Sequence, residues 1–95
     1  MTGQFATDDL AEQTEQALKN LVAVLRSAVA EPGHIARMTW YVTDRQDYLA
    51  SQAKIGEAYR NVVGKYFPAM TVVEVKSLME PRAKVEIEAT AVVPE

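Results

Sequence analysis

The chain has 95 residues, the size of one small domain over 1–95, and its 48% apolar and 24% charged residues argue for a packed globule over disorder. Ten basic against 13 acidic residues leave a net charge of −3, which disfavours a general phosphate-backbone binder and makes nucleic acid an unexpected partner. The absence of cysteine excludes a disulfide framework and any cysteine-based metal or nucleophile chemistry.

Asp8 and Asp9 introduce the first periodic segment, and Asp9 with Glu12 has the spacing of a capping box. Leu10, Thr14, Ala17, Leu21, Val24 and Ala28 recur at helical intervals, and Leu18, Val22, Leu25 and Val29 widen the stripe. This predicts an amphipathic helix over about 8–30, broken by Glu31-Pro32-Gly33-His34. Residues 35–43, IARMTWYVT, are rich in β-branched and aromatic side chains and predict a strand covered on both faces. Asp44 is a good cap for a second amphipathic helix over 45–65, with Tyr48, Leu49, Ile55, Ala58, Tyr59, Val62 and Val63 on one face and Gly64 at its end.

Phe67-Pro68 marks an extended entry to a strand over 70–75. A turn with Pro81 leads to a third strand over 83–93, in which Val85, Ile87 and Ala89 alternate with Lys84, Glu86, Glu88 and Thr90. The order is α-β-α-β-β, an α+β fold. The crossover makes the first two strands parallel, and the short connection before the third makes that one antiparallel. Two helices cover one sheet face. Trp40, Tyr41 and Val72 suggest that the other face is apolar and buried by other copies of the chain.

No apolar run approaches the roughly 18 residues that a membrane span needs. The start, MTGQFATDD, has neither a basic nor an apolar leader-like stretch, so no membrane association and a cytoplasmic location are expected. The lone histidine, His34, sits in a Pro-Gly turn with no arranged partners and reads as a loop residue. The spacing supports no metal site, glycine-rich phosphate loop or nucleophile triad, and no cofactor is implied. What stands out is acid in strand context: Glu74, Glu86 and Glu88. Simple alternation makes Glu86 and Glu88 a solvated face. The functional reading places one of them in a cleft between subunits, where partial burial suits a carboxyl group to proton transfer.

The segments DLAEQTEQALKNLVAVL (9–25), HIARMTWYVTD (34–44), FPAMTVVEV (67–75) and KVEIEATAVV (84–93) resemble the YjgF/RidA family of enamine/imine deaminases. The four blocks match in order and with the right spacing, covering the chain from Phe5 onward. The resemblance implies a chorismate-mutase-like fold and a homotrimer with small-molecule sites in the clefts between subunits. The family's acid, which activates or positions water, matches Glu86. Met70, in Phe67-Pro68-Ala69-Met70, stands where the deaminases carry a carboxylate-binding arginine, so the chain resembles the branches lacking it. A thioether cannot replace a guanidinium fork, and losing that contact costs on the order of 1.5–3 kcal/mol. Met70, Val72 and Tyr48 are the expected substrate-contacting residues, with the backbone amides near Val72 as polar contacts.

Family members begin with a further β-hairpin, whereas Met1-Thr2-Gly3-Gln4-Phe5 resembles the loop that follows it. The resemblance therefore implies an N-terminally truncated chain. The strand over 83–93 would be left as a sheet edge, open to antiparallel pairing with a second copy. Two other functional classes stay open. One is a non-catalytic small-molecule-binding or assembly module, which the apolar Met70 suits. The other is a ribonuclease, which the acidic balance makes the weakest reading.

Overall fold

A computed structural model describes residues 7–93. The expectation placed on residues 1–5 lies outside the described residues. Helix α1 (Leu10–Ser27) starts where the Asp9 carboxylate accepts the Glu12 N–H at 2.9 Å. Its buried row is Leu10, Thr14, Leu18, Val22 and Leu25, a run at four- and three-residue steps. Val24 and Val29, which the pattern includes in the stripe, are exposed.

The helix ends before the Pro-Gly turn. Val29 takes a left-handed conformation at φ 60°, Ala30 N–H reaches Leu25 O at 2.8 Å, and Val29 N–H reaches Arg26 O at 3.0 Å. This is a Schellman cap with a β-branched residue where glycine is the usual choice, so the sequence carries no signal for it. Ala30 and Leu25, both buried, seal the turn.

Strand β1 (Ile35–Val42) is followed by α2 (Arg45–Ala50) and α3 (Gln52–Val62), then by β2 (Ala69–Glu74) and β3 (Val85–Ala91). The predicted single helix over 45–65 is thus two, divided at Ser51. No proline or glycine marks the break, although the backbone bonds from Ser51 N–H to Asp47 O and from Ile55 N–H to Ser51 O carry the chain through it. Gly64, at φ 100°, ends α3 as expected.

The sheet order is β2-β1-β3, with β1 parallel to β2 and antiparallel to β3. β3 therefore lies across β1 from β2, and among the described residues it is an edge strand, as expected. The core lies between the helices and one sheet face: Leu18, Ile35, Met38, Trp40, Val42, Ile55, Tyr59 and Val85 are all buried.

The far face departs from expectation. A register shift between Ile35 and Arg37 puts Ile35, Met38, Trp40 and Val42 on the helix side and Arg37, Thr39 and Tyr41 on the other. Val72 is in register with Trp40 and shares its face. Of the three residues read as coating the open face, only Tyr41 is there. That face is mostly polar, with Arg37, Thr39, Tyr41, Thr71, Val73, Glu86, Glu88 and Thr90.

Gln13 ties α1 to the entry of β3. Its buried amide donates to Thr7 O at 2.9 Å and Arg82 O at 3.0 Å, and it accepts the Lys84 N–H at 2.8 Å. Gln13→Ala strands these backbone groups and is expected to cost roughly 2–4 kcal/mol in urea unfolding. Gln13→Glu, which keeps only the acceptor, is expected to fall between the two.

Candidate functional site

The three strand glutamates have different surroundings. Glu74, at the end of β2, accepts the Arg45 N–H at 2.7 Å. With Asp44, which accepts from Gln46 N–H at 2.9 Å and Asp47 N–H at 3.1 Å, it satisfies the start of α2. Glu88 accepts the Tyr41 hydroxyl proton at 2.8 Å across the β1–β3 pair. Glu86 faces the same open side, is in register with Tyr41, and has no hydrogen-bond or ion-pair partner among the described residues. The strand pattern does not distinguish these three; their partners do.

The Tyr41 phenol is held above its ordinary pKa of about 10, first by its hydrogen bond to Glu88, then by desolvation and by the charges of Glu88 and Glu86, with Arg37 opposing. A raised pKa in the fold means that the neutral phenol is favoured there. The stabilisation is complete below the unfolded value and is lost as pH rises through the raised one. Ultraviolet titration of the four tyrosines is expected to show Tyr41 ionising late, and Glu88→Gln is expected to bring it earlier. Unchanged titration in Glu88→Gln would contradict the assignment.

Met70 is in register with Met38 on the helix side of the sheet, but where Met38 is buried Met70 is 39% exposed. Val72, one step further along the same face, is half-buried against the core. Tyr48, on α2, also packs partly against the core. Phe67, just before β2, stacks on Tyr59 of α3 with ring centroids 5.2 Å apart and planes 15° apart. Burial pushes the Tyr59 phenol up in pKa, and its hydroxyl donates to Tyr66 O at 2.6 Å.

Met70 and Glu86 do not meet within one chain. Met70 belongs to the Met38 row and Glu86 to the Tyr41 row, three residues apart along β1 and on opposite faces. The aromatic corner at Tyr59, Tyr66 and Phe67 is not evident from the pattern, because its residues come from a helix face and a loop. The Phe67-Pro68 entry is its one sequence signal.

His34 closes its turn by accepting the Glu31 N–H on Nδ1 at 3.0 Å. Among the described residues no three metal-ligating side chains are grouped for a metal ion, and no helix is long and apolar enough to cross a membrane.

A sequence model of the family described as endoribonuclease L-PSP matches residues 1–93. A RutC family protein of Pyrococcus horikoshii is 34% identical over 90 residues, covering 95% of this chain and 68% of the relative. The 2-iminobutanoate/2-iminopropanoate deaminase of Salmonella typhimurium is 36% identical over 91 residues, covering 96% and 69%. The chain thus spans about two thirds of the length of the curated relatives it matches.

Among solved structures, a YjgF/YER057c/UK114 family protein of Mycobacterium tuberculosis superposes with a TM-score of 0.77 at 36% identity, over 93% of this chain and 71% of that one. Escherichia coli TdcF with bound serine superposes with a TM-score of 0.79 at 31% identity, over 98% and 71%. The α+β architecture, with its mixed sheet and helix layer, is that of these structures. With the family model covering nearly its whole length, the chain belongs to the YjgF/RidA family, also called the endoribonuclease L-PSP family.

Proposed function

We propose that the chain hydrolyses enamine or imine compounds to a carbonyl compound and ammonia, in a site completed by a second copy. The observation that carries this reading is Glu86: of the three strand glutamates, it alone has no structural partner among the described residues. It is also the residue that matches the family's acid. Relatives named as imine deaminases at about 36% identity support the same chemistry.

An enamine first takes a proton at carbon and becomes the iminium ion. Water attacks the iminium carbon while the Glu86 carboxylate removes its proton. The nitrogen of the resulting carbinolamine accepts that proton and leaves as ammonia, and the hydroxyl gives up its own proton to solvent as the carbonyl forms, returning the proton that the enamine took. One water is consumed, and no oxidant or reductant is needed. The separation of Glu86 and Met70 on opposite faces of one chain supports assembly into a homo-oligomer, a trimer on the family pattern, that brings one copy's Glu86 to its neighbour's β2. Tyr48 and Val72 then border the ligand, with amides near Val72 as polar contacts.

The test is release of carbonyl compound and ammonia from imines generated in situ, comparing wild type with Glu86→Gln. Equal turnover removes Glu86 from the role. Met70→Arg supplies the missing guanidinium and is expected to raise kcat/KM for a 2-imino acid by roughly 10–100-fold, the worth of one charge-assisted contact. A second reading, ligand binding without turnover, is favoured by the apolar Met70 and predicts melting shifts with no ammonia released. Ribonuclease activity, which the family description names, is the least supported by a net charge of −3.

A further inference from the structure

We infer that Phe67 is a specificity-determining residue of this site, and that the preferred substrates carry a flat, uncharged substituent stacked on its free ring face. This rests on the imine-hydrolase reading above and names its substrate class. Phe67 is 64% exposed, yet one face of its ring lies nearly parallel on Tyr59. Tyr59 is itself buried, and its ring also meets Trp40 with centroids 6.4 Å apart.

Two hydrogen bonds brace this stack. The Tyr59 hydroxyl donates to Tyr66 O, the carbonyl just before Phe67, and the Tyr66 hydroxyl donates to Ile35 O at the start of β1. Pro68 fixes the backbone on the other side of Phe67. The ring is thereby fixed on Tyr59 of α3, and the loop that carries it is tied to β1 through Tyr66, before any ligand arrives, which lowers the ordering cost of binding.

The charge pattern points to the same class. On the helix side of the sheet, the row through Met70, Met38 and Ala89 and the row through Val72, Trp40 and Ile87 hold no charged side chain. A carboxylate on the substrate has no cation to meet in either row. A planar apolar group instead finds an aromatic platform just before β2 and the soft thioether of Met70 at the second position of that strand. Aromatic stacking of this kind favours the fitting substrate by roughly three- to tenfold.

The experiment compares three imines generated in situ: the imine of benzaldehyde, the imine of acetone, and 2-iminopropanoate. Each is measured with wild type, Phe67→Ala and Phe67→Leu, after circular dichroism confirms that the variants fold. Wild type is expected to show its highest kcat/KM with the benzaldehyde imine, releasing benzaldehyde and ammonia with uptake of one water. Both variants are expected to lower the ratio of benzaldehyde-imine to acetone-imine kcat/KM by three- to tenfold. An unchanged ratio in both variants, or a wild-type preference for 2-iminopropanoate, overturns the inference.

Benzamide and benzoate are then titrated into labelled wild-type protein, with the Phe67 and Met70 resonances followed by NMR. Tighter binding of benzamide supports the platform, and equal or tighter binding of benzoate overturns it. This second arm separates the two readings. If Glu86→Gln hydrolyses every imine as fast as wild type, the hydrolytic reading falls, while the benzamide comparison still decides the platform. A change of oligomeric state in Phe67→Ala with an unchanged substrate ratio identifies the ring as an interface residue and also overturns the inference.

Discussion

Glu86→Gln is expected to lower imine turnover by roughly 10²–10⁴-fold, the usual worth of a positioned general base. Glutamine keeps the shape of the side chain but has no carboxylate to take the proton from attacking water. Glu86 is exposed and makes no hydrogen bond or ion pair among the described residues, so the substitution breaks nothing that holds the fold. Its effect on stability is expected to stay within about 0.5 kcal/mol. Glu88→Gln is the informative control. It also neutralises an acid on the same sheet face, two residues away, but its carboxylate is engaged with the Tyr41 hydroxyl. Turnover is expected to survive Glu88→Gln far better than Glu86→Gln. Equal losses in both would assign the effect to the charge of the face and not to one base.

The largest expected effect on stability is at Trp40. Its side chain is 1% exposed, lies in register between Val72 and Ile87, and meets the Tyr59 ring. Trp40→Ala is expected to cost about 3–5 kcal/mol, because the surrounding sheet and helices cannot close the space. At roughly 4–8 °C per kcal/mol for a domain of this size, the melting temperature falls by 12 °C or more. Trp40→Phe is expected to be much milder. The indole Nε1 has no hydrogen-bond partner among the described residues, and its burial carries a cost of about 1–3 kcal/mol that phenylalanine avoids. Calorimetry on both variants checks this, and a Phe variant as damaged as the Ala variant would show that the indole is satisfied.

Much of the fold is legible because local signals agree with the global arrangement. Asp9 and Asp44 announce the helices they cap, the crossover between β1 and β2 leaves only the parallel arrangement, and β3 keeps a clean alternation. The misses share a cause. Val29 in a left-handed cap, the break at Ser51 and the register shift near Ala36 are choices made by tertiary packing at residues whose own preferences point elsewhere. Trp40 and Tyr41, as strand neighbours, cannot share a face: Trp40 goes to the core and Tyr41 to the open side, while the shift near Ala36 brings Ile35 onto the core side as well.

The site was legible to the same degree. The resemblance singles out Glu86 and Met70, but strand pattern alone cannot separate Glu86 from Glu74 and Glu88. That separation comes from contacts across the chain: Glu74 reaches an amide 29 residues away and Glu88 a hydroxyl 47 residues away. The aromatic brace is of the same kind, with Tyr66 reaching Ile35 across 31 residues.

The most direct measurement is ammonia release from a neutral imine by the wild-type chain, read against the buffer rate and against Glu86→Gln in the same preparation. The account predicts saturable acceleration by wild type that Glu86→Gln abolishes. Wild-type rates no faster than buffer, or a Glu86→Gln rate equal to wild type, would contradict it.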